Sequence, residues 1–146
     1  MKQSSVELGL SGRYDADGDD VTTAFLELTL GYYLYDGFEA GLNILDGTTA
    51  TGRRDSLGIF AEYDQDISMP FVPGGGILFS HRAPPRGADA KDGRAFGLFG
   101  VLSLPIADNA ALALKYLMEF SDEAVLGDGD FKRRNRELNL ALRLFF

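Results

Sequence analysis

Ser80 and His81 are neighbours whose side chains could supply a nucleophile and a base. His81 is the only histidine in the chain. A catalytic site of this kind also needs an orienting carboxylate, with all three groups within reach of one another. Neighbouring residues of a β-strand point to opposite faces, so these two side chains should not pair if both lie in a strand. We therefore predict no catalytic residues and interpret His81 as an ordinary histidine at an interface or in a loop.

Metal binding has weak support in the sequence. The chain has no cysteine, which excludes disulfides, thiolate chemistry and cysteine-based zinc sites. Residues 15–20 read Asp-Ala-Asp-Gly-Asp-Asp and resemble the first part of a calcium loop, but the distal glutamate of an EF-hand is missing at its spacing. We interpret this segment as a solvated acidic turn, with weak calcium binding left open, and predict no metal site and no cofactor.

Length and charge restrict the class of protein. The 146 residues predict one domain, residues 1–146, and the net charge of -8 argues against a nucleic-acid partner. No apolar run approaches the roughly 20 residues of a membrane helix. The first eight residues lack an apolar stretch, so we expect no signal peptide in this sequence; if the protein is exported, this would be its mature form.

Alternation of apolar and polar residues predicts eight strands of about ten residues each. We place them at residues 4–14, 21–34, 38–45, 56–65, 71–81, 94–104, 110–121 and 136–146. The fifth contains Pro73 and three consecutive glycines from Gly74 to Gly76, which disfavour an ordinary central strand. Residues 110–120 also have helical propensity, but their apolar residues recur with a period of two.

The connections between these strands alternate in length. Long, polar connections are predicted at residues 15–20, 46–55, 82–93 and 122–135, and the intervening ones are short. In an up-and-down barrel all the long connections would lie at one end. This asymmetry is typical of outer-membrane barrels, which have short periplasmic turns and longer extracellular loops.

The two faces of the strands differ in composition. One face is rich in Leu, Ile, Val, Phe and Tyr, as is the surface of a barrel in lipid. The other is predicted to form a charge network inside the barrel, consisting of Glu7, Arg13, Glu27, Glu39, Glu62, Lys115, Glu119, Glu137 and Arg143. Buried charges must be paired or neutralised, so we expect Lys115 and Arg143 to pair with neighbouring glutamates. Structural packing is the default interpretation of this network, and a proton or ion path is the alternative.

These patterns predict an all-β fold, an eight-stranded antiparallel up-and-down transmembrane β-barrel with an interior filled by polar side chains. Eight strands enclose a space that side chains can fill, so no wide pore is expected. A soluble lipocalin-like carrier has the same alternation with leucines inside. Its exterior would usually carry many lysines, whereas the polar face here has one, Lys115.

The chain resembles the small eight-stranded outer-membrane barrels of the OmpA and OmpX kind. The resemblance covers the whole chain and is sharpest in the last strand, where that class carries a signal for the barrel-assembly machinery. Asn139, Ala141, Leu144 and Phe146 occupy the positions of that signal. Ala141 replaces the glycine of the class pattern, and Leu144 replaces an aromatic residue.

The resemblance implies a structural or surface-interaction protein of the bacterial outer membrane with no open pore. The alternative from the same class of barrels is a lipid A acyltransferase or deacylase centred on Ser80 or His81. Expected partners are membrane lipid or detergent and the barrel-assembly machinery, and we expect a monomer. Contact with lipopolysaccharide phosphates is one expectation for the basic residues Arg82, Arg86, Lys91, Arg94, Lys132, Arg133 and Arg134; pairing with nearby aspartates is the equal alternative.

Overall fold

The structure is a computed structural model that describes residues 5–17, 21–49, 52–67, 69–83, 93–121 and 133–146. For residues 13–17, 21–25, 48–49, 52–54, 121 and 133–135 the description covers the backbone and not the side chains. Within the part of the chain so described, no helix is long and apolar enough to cross a membrane.

Eight antiparallel strands form one closed barrel in sequence order. They are β1 (Val6–Asp17), β2 (Val21–Tyr35), β3 (Phe38–Thr49), β4 (Gly52–Asp64), β5 (Val72–Arg82), β6 (Gly93–Ala107), β7 (Ala110–Ser121) and β8 (Arg133–Phe145). Each strand pairs with the next, and β8 pairs with β1. This confirms the predicted fold class, including the strand at residues 110–121 that had helical propensity.

The hairpins at one end of the barrel are longer than predicted. The β3–β4 pairing continues to Thr49 opposite Gly52, so most of the predicted loop 46–55 is paired strand, and that prediction is wrong. β1 likewise continues to Asp17, into the predicted turn at residues 15–20. Apolar alternation marks only the part of a strand that faces an apolar medium, whereas backbone pairing can continue beyond it where both faces are polar.

Two of the three connections at the other end are tight turns, and residues 65–71 join β4 to β5. Asp36 and Gly37 join β2 to β3, and Gly37 has a φ of 80°, a conformation that glycine adopts without steric cost. Asp108 and Asn109 join β6 to β7. The backbones of Val6 and Phe146 exchange two hydrogen bonds, Val6 N to Phe146 O at 3.1 Å and Phe146 N to Val6 O at 2.9 Å, so β1 begins beside the end of β8.

The glycine triplet of β5 is fully part of the sheet. Gly74, Gly75 and Gly76 pair with β4 on one side and with β6 on the other. Pro73 is the second residue of β5, and its carbonyl accepts a hydrogen bond from Gln65 N at 2.8 Å. The predicted fifth strand therefore exists. At Gly74 and Gly76 it places no side chain in the lumen.

The outer surface of the barrel is apolar, and the interior is mainly polar. Every strand exposes at least one large aliphatic side chain outwards, for example Leu10, Leu28, Leu42, Ile59, Ile77, Leu98, Leu114 and Leu140. The residues between them are buried, and many are charged or polar, including Glu27 and Asn43 beside the exposed Leu28 and Leu42. A soluble carrier would have the reverse arrangement, so the lipocalin-like alternative is wrong.

Aromatic and charged side chains mark the long-hairpin end of this apolar surface. Phe79, Phe96 and Phe120 are register neighbours on β5, β6 and β7, with ring centroids 4.9 Å apart for the first pair and 6.4 Å for the second. Two residues further along β5, His81 faces Arg94 on the outer surface, and both are exposed. An aromatic row followed by charge is typical of a membrane interface.

The seam that closes the barrel is paired over only part of its length. β1 and β8 pair from Glu7 opposite Phe145 to Gly12 opposite Leu140. Residues 13–17 of β1 continue in register with β2, and residues 133–139 of β8 continue with β7. Over these described residues β1 and β8 do not pair with each other, so the backbone pairing of the seam ends before the long-hairpin end.

Candidate functional site in the barrel lumen

Arg143 lies at the centre of the largest polar cluster in the described part of the lumen. Its side chain is buried and forms ion pairs with four carboxylates that come from three other strands. The nearest nitrogen–oxygen distances are 2.7 Å to Glu7, 3.3 Å to Glu39, 2.8 Å to Glu62 and 3.1 Å to Asp64. Arg143 Nη1 also donates a hydrogen bond to Ser103 Oγ at 2.9 Å. A single guanidinium thus connects β1, β3, β4, β6 and β8 near the tight-turn end.

The hydroxyl of Tyr33 is a second connection within this cluster. It lies 3.0 Å from Glu7 Oε2 and 2.9 Å from Asp64 Oδ2, and it accepts a hydrogen bond from Arg143 Nη2 at 3.0 Å. Tyr33 is completely buried, although its neighbours Tyr32 and Leu34 are exposed on the outer surface. Because one hydroxyl has one proton, it donates to Glu7 or to Asp64 at a given moment and couples the two carboxylates.

The cluster around Arg143 contains more negative than positive charge. When all four carboxylates are ionised, the guanidinium leaves a formal charge of -3. Glu39 and Glu62 are directly opposite each other in the β3–β4 register, and like charges in that position repel. Carboxylate oxygens of Glu39, Glu62 and Asp64, one from each residue, all lie within 4.8 Å of one another. These three residues could therefore hold a cation.

A second polar cluster is centred on Glu27. Its carboxylate accepts hydrogen bonds from Ser11 Oγ at 2.6 Å, Asn43 Nδ2 at 2.5 Å and Lys115 Nζ at 3.3 Å. Lys115 also lies 4.4 Å from the centre of the Phe99 ring, a distance at which a cation and an aromatic ring attract. Glu27 is thus satisfied by one cation and two neutral donors, without the charge excess found around Arg143.

Four apolar side chains from four different strands also meet inside the barrel. Phe60, Leu78, Phe99 and Leu117 are all buried and form one cluster, which we call the apolar plug. Phe60 is two residues from Glu62, and Leu117 is two residues from Lys115, on the side of the long hairpins in each case. The interior is therefore mainly polar but is crossed by an apolar layer.

Arg82 and Glu119 form an ion pair on the long-hairpin side of the apolar plug. Both side chains face the lumen, since Arg82 follows buried Ser80 by two residues and Glu119 follows buried Leu117 by two. Between the two polar clusters a cavity of ≈ 30 Å³ remains, lined by Glu7, Ser11, Glu27, Glu62, Lys115 and Arg143 among others. That space suits individual water molecules.

Seven of the nine residues of the predicted charge network separate into three groups. Glu7, Glu39, Glu62 and Arg143 belong to the cluster around Arg143, whereas Glu27 pairs with Lys115. Glu119 pairs with Arg82, and Glu137 is partly exposed. The side chain of Arg13 lies outside the described residues.

The basic residues predicted to contact lipopolysaccharide differ in position. Arg94 is exposed on the outer surface at the charged end of the apolar belt, whereas Arg82 faces the lumen and pairs with Glu119. Arg86, Lys91 and Lys132 lie outside the described residues. Arg133 and Arg134 belong to β8, and their side chains are not described.

Ser80 and His81 lie in β5 with their side chains on opposite faces. Ser80 is buried in the lumen, and His81 is exposed on the outer surface between Leu57 and Arg94 in the register. The two do not form a nucleophile–base pair in this arrangement.

The residues of the predicted assembly signal are spread over both faces of β8. Asn139 is buried in the lumen opposite Lys115, and Ala141 lies between Ser11 and Ala113 in the register. Leu144 pairs with Leu8 and Ala110 and is partly exposed, whereas Phe146 is largely exposed at the tight-turn end.

Tyr33, Ser11, Asn43 and Ser103 are site residues that the sequence interpretation did not single out. All four lie on the polar face by strand alternation, so the signal was present in their position. Alternation alone does not distinguish an uncharged side chain that bonds to a buried carboxylate from one that only fills space. Asp64 belongs to the cluster around Arg143 and is likewise absent from the predicted charge network.

Known structures share this fold. The N-terminal β-barrel domain of Pseudomonas aeruginosa OprF matches all of this chain over all of its own, with a TM-score of 0.74 and 16% identity. Neisserial surface protein A (NspA) matches 97% of this chain over 95% of its own, with a TM-score of 0.65 and 15% identity. A de novo designed transmembrane β-barrel matches 100% of this chain and 98% of its own, with a TM-score of 0.61 and 11% identity.

No protein-family model matches the chain, and no curated protein matches it. At these identities the structural matches concern the fold alone. The chain therefore has the fold of small eight-stranded transmembrane β-barrels, as the sequence resemblance implied.

Proposed function

We propose that this protein is a structural or surface-interaction barrel of the bacterial outer membrane whose lumen is closed by its own side chains. Its long hairpins would face outwards from the cell, and its tight turns would face the periplasm, as in other barrels of this membrane. The work of such a protein lies in occupying the membrane and presenting the hairpins, not in conducting solutes.

The observation that carries this proposal is the series of side-chain layers across the lumen. The cluster around Arg143, the Glu27–Lys115 cluster, the apolar plug and the Arg82–Glu119 pair follow one another along the barrel. Ions crossing the lumen would have to break buried ion pairs and enter an apolar layer, both of which are costly. Closure by packed side chains is expected for a barrel of eight strands.

An outer-membrane location is supported by the outer surface and by the structural matches. Lipid-facing strands need a continuous apolar belt and a closed hydrogen-bonded sheet, and the described strands have both. The OprF domain and NspA are outer-membrane barrels of the same strand number, at identities that carry the fold alone. We propose the same location for this chain, with β8 as the strand that the barrel-assembly machinery recognises.

Surface interaction would be centred on the charged end of the apolar belt. We propose that Arg94, exposed beyond the row formed by Phe79, Phe96 and Phe120, contacts the phosphates of lipopolysaccharide. Arg86, Lys91, Lys132, Arg133 and Arg134 remain part of this proposal on sequence alone. Arg82 does not, because it is paired with Glu119 in the lumen.

No observation favours the lipid A-modifying enzyme. Ser80 and His81 point to opposite sides of the barrel wall, and a shared reaction would need both on one side. Lipid A from cells that express a His81→Ala variant should therefore be the same as lipid A from cells that express the wild type.

Detergent refolding tests the proposed class of protein. The denatured protein is refolded in detergent, and unheated and boiled samples are compared on a gel. We expect a mobility that changes on boiling and a β-sheet circular dichroism spectrum that appears only with detergent or lipid. A stable, monomeric β fold in detergent-free buffer would contradict the proposal.

A further inference from the structure

We propose that Glu39, Glu62 and Asp64 form a binding site for a calcium ion inside the barrel, near the tight-turn end. This site is distinct from the acidic segment at residues 15–20. The proposal goes beyond closure of the lumen, since a barrel closed by side chains could bind an ion or lack one.

The donor atoms and their spacing suit calcium. All three ligands would be carboxylate oxygens, which hard cations prefer, and the residues offer no nitrogen or sulfur for a transition metal. The oxygens lie within 4.8 Å of one another. Calcium–oxygen bonds of about 2.3–2.6 Å allow opposite ligands to be roughly 5 Å apart, whereas magnesium requires about 4 Å. The upper limit of 4.8 Å is compatible with calcium, whose larger radius and flexible coordination tolerate a wider ligand spacing than the tight octahedron of magnesium.

Each of the three residues has one buried oxygen without a hydrogen-bond partner. These atoms are Glu39 Oε1, Glu62 Oε1 and Asp64 Oδ1. Glu39 is 0% exposed, Asp64 is 4% exposed and Glu62 is 7% exposed, so bulk solvent does not satisfy them. Glu62 Oε1 lies 2.8 Å from Arg143 Nη1 without hydrogen-bond alignment. Glu62 Oε1 is thus paired with Arg143, whereas Glu39 Oε1 and Asp64 Oδ1 have no such partner and keep lone pairs that a cation could use, since buried polar atoms normally have partners.

Glycines give the carboxylates the space they occupy. A Cβ atom at Gly31 would overlap the Glu39 carboxylate, and one at Gly74 would overlap Asp64 Oδ1. Gly74 is also the register partner of Asp64. Side chains at these two positions would displace the carboxylates. The two glycines are therefore part of the site.

The charge balance of the cluster also favours a bound cation. Arg143 is the one cation that contacts this cluster in the described part of the chain, and the four carboxylates around it leave a formal charge of -3. Lys115 is paired with Glu27 in the neighbouring cluster. A calcium ion would reduce the excess to -1 beside Glu39 and Glu62, whose like charges are opposite each other in the register.

An ion could reach the cluster from the tight-turn end. A cavity there is lined by the exposed residues Asp36, Gln65 and Asp66 and by the buried residues Asp64 and Ser103. Asp64 thus belongs both to this cavity and to the proposed site. The exposed acidic residues would attract cations.

Terbium luminescence in the refolded, full-length protein tests the site. Terbium replaces calcium in oxygen-ligand sites, and Tyr33, whose hydroxyl lies 2.9 Å from Asp64 Oδ2, can transfer excitation to it. We expect saturable, tyrosine-sensitised emission that calcium displaces more effectively than magnesium. Glu39→Gln and Asp64→Asn should each weaken terbium binding by about tenfold or more, since each removes a charged ligand.

Two control variants separate this site from others in the chain. Glu27→Gln removes a buried lumen carboxylate outside the site, and Asp19→Asn weakens the acidic segment at residues 15–20; neither should change terbium affinity. Every variant is first checked for a heat-modifiable band.

The proposal is overturned if the wild type shows no saturable binding of calcium or terbium. It is also overturned if Asp19→Asn abolishes binding, or if folded Glu39→Gln or Asp64→Asn binds as the wild type does. The gel result for the wild type tests the barrel separately.

Discussion

Arg143 on β8 donates hydrogen bonds from Nε and Nη2 to the two carboxylate oxygens of Glu7 on β1, each at 2.7 Å. These strands form the seam that closes the barrel, and the paired part of that seam includes both residues. A two-point bond between a planar guanidinium and a carboxylate is directional as well as strong. The pair therefore supports the correct alignment of the first and last strands. Its two side chains also fill part of the lumen beside the seam.

Replacement of Arg143 should be the most damaging single change in the lumen. Arg143→Met leaves several buried carboxylates without a cation, so we expect the free energy of unfolding to fall by about 3–5 kcal/mol. Urea titration of the refolded protein in detergent, followed by the heat-modifiable band, measures the loss. Arg94→Met is the matched control on the outer surface and should change stability by less than about 1 kcal/mol. Equal effects of the two variants would contradict the assigned role of Arg143.

Tyr33 offers a subtler test of the same cluster. Tyr33→Phe removes the hydroxyl shared by Glu7, Asp64 and Arg143 but keeps the ring, and should cost about 1.5–3 kcal/mol because the bonds are to charged groups. Tyr32→Phe removes an exposed hydroxyl on the neighbouring residue of β2 and should be nearly neutral. The urea midpoints of the two variants give the comparison, and a neutral Tyr33→Phe would show that the hydroxyl is not a structural connection.

The direction of each face can be read from single cysteines, because the chain has none of its own. Leu42 is 47% exposed on the outer surface, and its neighbour Asn43 is 2% exposed in the lumen. We expect a fluorophore on Leu42→Cys, in lipid vesicles, to be quenched by nitroxide-labelled lipid. The thiol of the Asn43→Cys variant should be labelled poorly, and any fluorophore attached there should escape quenching. The opposite result would place leucines inside, as in a soluble carrier.

The β1–β8 seam predicts a gradient of local stability. β1 pairs with β8 from Glu7 to Gly12. Residues 13–17 of β1 and residues 133–139 of β8 do not pair with each other. Residues 13–17 are held by β2 alone, whereas residues 7–12 are held by both β2 and β8, so hydrogen exchange should be faster at residues 13–17. Mass spectrometry of the detergent-folded protein measures this difference. Uniform protection along β1 would indicate that the seam is fully paired.

Strand alternation predicted the barrel from the sequence because lipid imposes a strict period of two on the outer face. It could not set the ends of β3 and β4, since beyond the apolar belt both faces are polar and pairing leaves no compositional mark. Alternation also could not predict which of the charged lumen residues would contact one another. Alternation places Glu39, Glu62 and Arg143 on one face, but only strand register brings two glutamates opposite each other near one guanidinium. The apolar plug was hidden for the same reason, because its four side chains come from four strands.

A planar-bilayer recording of the wild-type protein tests closure of the lumen most directly. The sample should first show the heat-modifiable band of the folded barrel, so that silence reflects a closed lumen and not an unfolded chain. With the cluster around Arg143 and the apolar plug both in place, we predict insertion without a steady open channel. A large, steady conductance from the folded wild type would contradict a lumen closed by its own side chains.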